Sequence, residues 1–237
     1  EETPLVNTPE RGVSHEVRPL KLAAAVVLAV AFTCAAYRPA ISQSTPAAPL
    51  VLYASRSGQS TLDEGQGGGN PFASALIELL DRTTLTGAEL LSGLVAVTAE
   101  RSRGVQVPDI PTASDATQWT VKPVPLTVKR VALVFVYSKY TSSRRKPLPG
   151  AAHDLERVAA ALRAAGFDVR TAADPTRGDL QEALDALSEW SKGAEAAVIY
   201  ATGHGLEHRG CVYLLPSDYP FDDEPQRLSE FAISQVA

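Results

Sequence analysis

The 237-residue chain contains no methionine, two cysteines and few aromatics: six Phe, seven Tyr and two Trp. Two cysteines exclude a disulfide framework; each is free, or they pair once. The missing methionine extends to position 1, so the chain is expected to be a processed or trimmed product. An excess of one charge is also lacking. Lys and Arg number 22 against 27 Asp and Glu, and no region carries the basic surplus that a nucleic-acid surface needs. No apolar run reaches the roughly 20 residues that span a bilayer. What is present is ordinary globular composition, 45% hydrophobic and 21% charged, which excludes wholesale disorder and a fibrous repeat. The length suffices for a full hydrophobic core, as one large domain or two small ones.

The longest apolar stretch, Leu20 to Tyr37 (LKLAAAVVLAVAFTCAAY), has two competing readings. Its single charge on Lys21, with Arg18 just upstream, suits a signal h-region or a short anchor, most sharply a lipoprotein signal ending at Cys34. A buried parallel strand is a continuous apolar run too. The sixteen residues from Leu22 to Tyr37 include seven Ala, and the strand is the expected outcome. Association with a membrane is then not expected, and a cytoplasmic site is favoured over export.

Local patterns predict a series of elements. Strands are expected at Val26 to Phe32, Leu50 to Tyr53, Val131 to Val136, Phe167 to Val169 and Ala196 to Ala201, with Val212 to Leu215 as a hairpin arm. Helices are expected at Phe72 to Leu80, after Thr86 as cap to Glu100, from Ala151 to its stop at Gly166, and from Arg177 to Lys192. Ser55 to Asn70 is glycine-rich and reads as a surface loop that carries binding groups. Four prolines between Arg101 and Pro125 mark a linker, placed at 109–127. Strand and helix alternate after Val128, which indicates a parallel α/β arrangement. Each half looks unfinished alone. One domain over 1–237 with one continuous sheet is therefore expected, its halves being 20–108 and 128–237.

Two residues carry candidate chemistry. His204 lies between Gly203 and Gly205 directly after a buried strand, where ligands bind in parallel sheets and where a sharp turn would leave the imidazole unshielded. Such a group suits acid–base work near pH 7, although a histidine that merely caps the turn is the plainer alternative. Cys34 follows the first apolar strand in the same way, so thiol and imidazole are expected at one sheet edge. A lone cysteine is otherwise a small buried hydrophobe. Cys211 is expected to pack. A zinc pair on His204 and His208, with Glu207 between them, is disfavoured by the glycines and by the lack of a third ligand. Gly65 to Gly69 lacks the Lys-Ser/Thr of a phosphate loop. Asp63, Asp154, Asp218 and the Asp222-Asp223 pair are solvated charges, or converge to bind a guanidinium or ammonium group.

These residues resemble the caspase-like cysteine peptidases of the metacaspase and orthocaspase type (clan CD, family C14). VALVFVYSKYTSS, PLPGAAHDLERVAAALRAAGFDV and AAVIYATGHGLEHRGCVYLLPSD resemble the large-subunit order, with TGHG around His204 as the histidine motif. VLAVAFTCAAYRP resembles the nucleophile segment. APLVLYASRSGQSTLDEG, GNPFASALIELL and Gln106-Val107-Pro108 resemble the small subunit. The family places the histidine segment first, whereas here Cys34 precedes His204, so the chain reads as a circular permutation. Two pieces of a longer protein, or a tandem cut mid-domain, would give the same order of segments. Thr33 stands where the family usually has Asp.

The resemblance implies a three-layer αβα sandwich around a mostly parallel six-stranded sheet, circularly permuted. It implies a cysteine endopeptidase with Cys34 as nucleophile, His204 as acid and base, and the Gly205 and Cys34 N–H groups as oxyanion hole. Asp154, Asp63 and Ser55 are the implied substrate-binding residues. Leu148 occupies a position where caspases would need arginine, which favours Arg or Lys at P1. The partner is then a peptide or protein with a basic P1 residue. No cofactor or metal is required; Ca²⁺ activates some relatives, but no EF-hand ligand pattern supports it here. Exposed Arg144-Arg145-Lys146 and Arg101 to Arg103 are self-cleavage sites or plain solubilising charge. The rivals are a catalytically weak or inactive regulatory module on the same fold, motivated by Thr33, and an envelope-associated protein with 20–37 as signal or anchor.

Overall fold

The computed structural model describes residues 22–32, 50–65, 67–110, 119–124, 127–208, 211–221 and 233–234. The apolar runs at Leu22–Phe32 (β1), Leu50–Tyr53 (β2), Arg130–Val136 (β5), Asp168–Ala173 (β6) and Ala196–His208 (β7) form strands of one sheet, in the order β2-β1-β7-β5-β6. Cys211–Leu214 (β8) pairs with the far end of β7, and Ile233–Ser234 (β9) pairs with β8. Leu85–Thr86 (β3) and Thr120–Lys122 (β4) make a separate two-stranded ribbon.

β5 explains the layering. All seven of its residues are buried, and successive side chains point to opposite faces. Val131, Leu133 and Phe135 face Leu180 and Leu187 of α4 (Arg177–Trp190). Ala132 and Val134 join the core formed by α1 (Pro71–Leu80), α2 (Gly87–Arg101) and α3 (Pro149–Ala164), through Phe72, Leu76, Leu94, Val158 and Leu162. Helices on both faces make the α/β three-layer arrangement of the described residues.

The sheet itself departs from the expected one. Among the described residues it has seven strands, and the pairings of β5 with β6 and with β7 are parallel, while its other pairings there run antiparallel. A mostly parallel sheet is thus corrected to a mixed one. Leu22–Phe32 is a strand paired along its whole length with β7. Among the described residues no helix is long and apolar enough to cross a membrane.

Local chemistry sets the helix ends. Asn70 accepts the Phe72 N–H ahead of α1, and Pro71 takes the first helical position. Thr86 with Glu89, and Thr176 with Asp179, close reciprocal capping boxes on α2 and α4. Leu148 offers α3 no side-chain cap. Asp63 supplies it from the 55–70 loop, accepting the Gly150 N–H at 3.1 Å and the Ala151 N–H at 3.0 Å.

The stretch expected as a plain linker is partly integrated. Asp109 exchanges two backbone hydrogen bonds with Tyr53, and Val121 of β4 is fully buried. Arg130 explains the second attachment. Its buried guanidinium donates to the Thr120 and Val121 carbonyls and pairs with Glu195, with Trp119 and Phe167 rings against it.

Candidate active site

His204 lies within β7, not in a turn after it. The strand runs on to His208, and Gly203 and Gly205 are not among the glycines with positive φ. Gly203 has another reason to be small. A Cβ there would stand 2.8 Å from Tyr137 Cβ and 3.0 Å from the Tyr140 hydroxyl, so the missing side chain lets both tyrosines close on the strand.

The imidazole is half-buried and fixed from several sides. Its Nε2 lies 3.0 Å from the Lys146 carbonyl oxygen. The Tyr140 ring packs at 4.9 Å between centroids, tilted by 45°, and Phe221 meets it edge-on at 6.5 Å. Desolvation is the main cause that holds its pKa below the usual 6.5, and the Arg145 charge acts in the same direction. The hydrogen bond to Lys146 and the Asp63 carboxylate oppose them without prevailing. His204 is therefore neutral near pH 7 and able to accept a proton.

Gly205, the expected oxyanion donor, takes its orientation from the strand. Backbone groups alternate sides along a strand, and His204 gives its N–H to the Tyr140 hydroxyl while its C=O accepts the Leu215 N–H. Gly205 therefore turns its N–H to the other side, toward β1, where Ala23 is its partner.

The register also bears on the expected meeting of thiol and imidazole. β1 and β7 run antiparallel, with Ala24 opposite His204 and Phe32 opposite Ala196. Eight residues of strand, about 26 Å at 3.3 Å per residue, separate His204 from Ala196. The Phe32 end of β1 therefore lies at the end of β7 opposite to His204. Cys34 itself, with Thr33, lies outside the described residues, as do Asp222 and Asp223. Cys211, expected to pack, is a free and exposed thiol opposite His208.

The acids divide. Asp154 is fully buried. Its Oδ2 accepts the Asn70 N–H at 2.8 Å, and its Oδ1 pairs with Arg157 at 3.1 Å. Burial raises its pKa to about 7 against the lowering effect of those two partners. Asp154, expected to bind substrate, thus has both oxygens enclosed and engaged within the chain. Asp63 is half-buried, and each of its oxygens accepts one N–H, which leaves lone pairs for a further donor. Ser55 donates to the Gln59 carbonyl in a turn of the same loop. Asp218 is exposed.

A polar network with no signature in the local sequence ties this loop down. Gln106, fully buried, donates to the Ala54 carbonyl and accepts the Leu62 N–H. Asn70 bonds the Leu62 carbonyl, and Arg157 reaches the Gly68 carbonyl. On β7, Glu207 accepts from the Ser57 hydroxyl and the Gly58 N–H. Nothing local in the sequence marked Tyr140, Lys146 or Phe221 as companions of His204, since they converge from separate parts of the chain. Among the described residues no group of three or more His, Cys, Asp or Glu could hold a metal ion.

A central strand that carries a neutral imidazole, oriented by a backbone carbonyl and packed between aromatics, is a frame suited to acid–base hydrolysis. Its kind is narrower still: residues 129–235 match the family model of the caspase domain, family C14 of the peptidases. That segment, β5 through β9, is caspase-like and supports a cysteine-type peptidase acting on a protein substrate. No curated protein matches the chain.

Proposed function

We propose that the chain is a cysteine endopeptidase of caspase type that cleaves after Arg or Lys through an acyl-enzyme, with His204 as acid and base and Cys34 as nucleophile. The observation that supports it most is the oriented, neutral His204 inside the caspase-like segment. The Lys146 carbonyl can only accept a hydrogen bond, so Nε2 carries the hydrogen and Nδ1 is left to take a proton. The thiol passes its proton to Nδ1 as sulfur attacks the scissile carbonyl, the imidazolium gives that proton to the leaving amine as the C–N bond breaks, and water then hydrolyses the thioester, its proton returning through His204 to the thiol. This chemistry requires no cofactor. Asp63, with lone pairs to spare and a charge that acts on His204, supports a basic P1 side chain. The Gly205 N–H, on the β1 side of β7, and the Cys34 N–H are the proposed oxyanion pair.

One observation favours a second reading, a catalytically weak or inactive module on the same fold. The antiparallel register of β1 leads away from His204, so a dyad requires the Cys34 end of that strand to reach the opposite edge, or a thiol supplied by another copy. Labelling with an Arg-directed acyloxymethylketone separates the readings. Labelling that disappears in both Cys34→Ala and His204→Ala supports the peptidase. Cleavage restored on mixing those two variants places the thiol in trans. Unlabelled wild-type chain with no peptide cleavage leaves the inactive module.

A further inference from the structure

Tyr140 has no role in the chemistry above, yet it meets His204 twice, through its hydroxyl and through its ring. It belongs to the loop that follows β5, where the parallel pairing with β7 ends at Val136 and Thr202. Beyond that point β7 has no β5 residue beside it to receive the His204 N–H. The Tyr140 hydroxyl takes that place, accepting the N–H at 2.6 Å, while its ring covers the imidazole face. A side chain thus substitutes for a strand neighbour at the residue that carries the chemistry.

The tyrosine is itself braced. The Asp174 carboxylate accepts the Ser138 and Lys139 N–H groups, 2.6 and 2.8 Å away. The Thr141 N–H donates to the Ser217 carbonyl, and the Ser217 hydroxyl reaches the Asp174 and Pro175 carbonyls. The residues on both sides of Tyr140 are therefore pinned. Phe221 packs against the outer side of its ring at 5.5 Å, edge to face. Burial keeps the phenol protonated far above neutral pH.

We propose that Tyr140 is the positioning residue for His204: its hydroxyl fixes the backbone of β7 at that residue and its ring sets the imidazole plane. The inference deepens the peptidase reading and rests on it for its catalytic consequence. Its structural consequence is independent of that reading. Removing the hydroxyl leaves the His204 N–H without its acceptor, and removing the ring frees the imidazole from the Lys146 carbonyl. The charged and titratable groups that face the imidazole are Arg145, on the Tyr140 loop, and Asp63, on the 55–70 loop.

Tyr140→Phe and Tyr140→Leu in the full chain test this, with His204 observed by NMR in histidine-labelled protein. Wild type should show the Nε2–H tautomer and a midpoint below 6.5. Tyr140→Phe should shift the His204 amide resonance and keep the midpoint. Tyr140→Leu should mix the tautomers and move the midpoint toward 6.5. In peptide cleavage, KM should hold while kcat falls, up to about 100-fold for the leucine variant, as expected for small misplacements of a reacting group. Unchanged His204 spectra in both folded variants would overturn the proposal, whether or not the chain cleaves peptides. Absent cleavage in wild type with shifted spectra removes the peptidase reading and leaves the positioning role standing.

Discussion

The Nε2 nitrogen of His204 donates to the Lys146 carbonyl oxygen across 3.0 Å, and this one bond decides which imidazole nitrogen is basic. Together with burial, it makes the group a base at neutral pH. Because the pKa is lowered from 6.5, proton uptake is weaker in the folded chain than in the unfolded one. Peptide cleavage should rise with pH through a midpoint below 6.5 and level off by pH 7. The same group should make the fold less stable as pH drops through 6.5. A kcat/KM profile checks the first expectation, and a midpoint above 6.5 would contradict it.

Asp154 should act with the opposite sign. Its pKa is raised from 3.8 to about 7, so between those values the native carboxyl keeps a proton that the unfolded chain releases. Its contribution to stability is therefore full below pH 4 and declines as pH rises toward 7. Asp154→Asn removes that decline. Urea unfolding of both proteins at pH 4.5 and 8 should show the variant gaining relative to wild type at the higher pH. A constant difference between them would count against the shifted carboxyl.

Asp63 serves α3 before it serves any substrate. Asp63→Ala should cost about 1–2 kcal/mol, the usual range for a lost helix cap. Gly150→Ala should harm the same contact by steric means, since its Cβ would lie 2.0 Å from the Asp63 carbonyl oxygen. Thermal unfolding measures both. If Asp63 also holds a basic P1 group, Asp63→Asn should raise KM for Arg peptides more than for peptides with a neutral P1, and an equal change would remove that role.

Arg130 is a buried charge whose loss should be felt across the 119–122 ribbon. Arg130→Ala leaves Glu195 with only the Trp119 indole N–H and uncovers the Thr120 and Val121 carbonyls, at a cost of about 1–3 kcal/mol. Hydrogen exchange should rise first at Val121 and Lys122. A fall below about 1 kcal/mol in urea unfolding would show the ribbon holds without it.

What could be read without the fold was local. Thr86 marked the start of α2, Gly166 stopped α3 at a φ of +86°, and the apolar run of β5 showed a buried strand. Each depends on neighbours within a few residues, so chain order alone specifies it. His204 was also visible, but for a different reason from the one the fold reveals. Gly203 is small for the sake of Tyr137 and Tyr140, which come from another part of the chain.

The amino-acid order by itself determined the four helices and the longer strands, where most helices begin, and which histidine stands among glycines after an apolar run. Tertiary structure alone decided the direction of β1 against β7, the capture of Asp63 by α3, the enclosure of Asp154 and the trio of Tyr140, Lys146 and Phe221 around His204. The physical reason is that an apolar strand satisfies its hydrogen bonds equally well in either direction. Which partner lies beside it, and which end meets which, is settled by packing across the whole sheet.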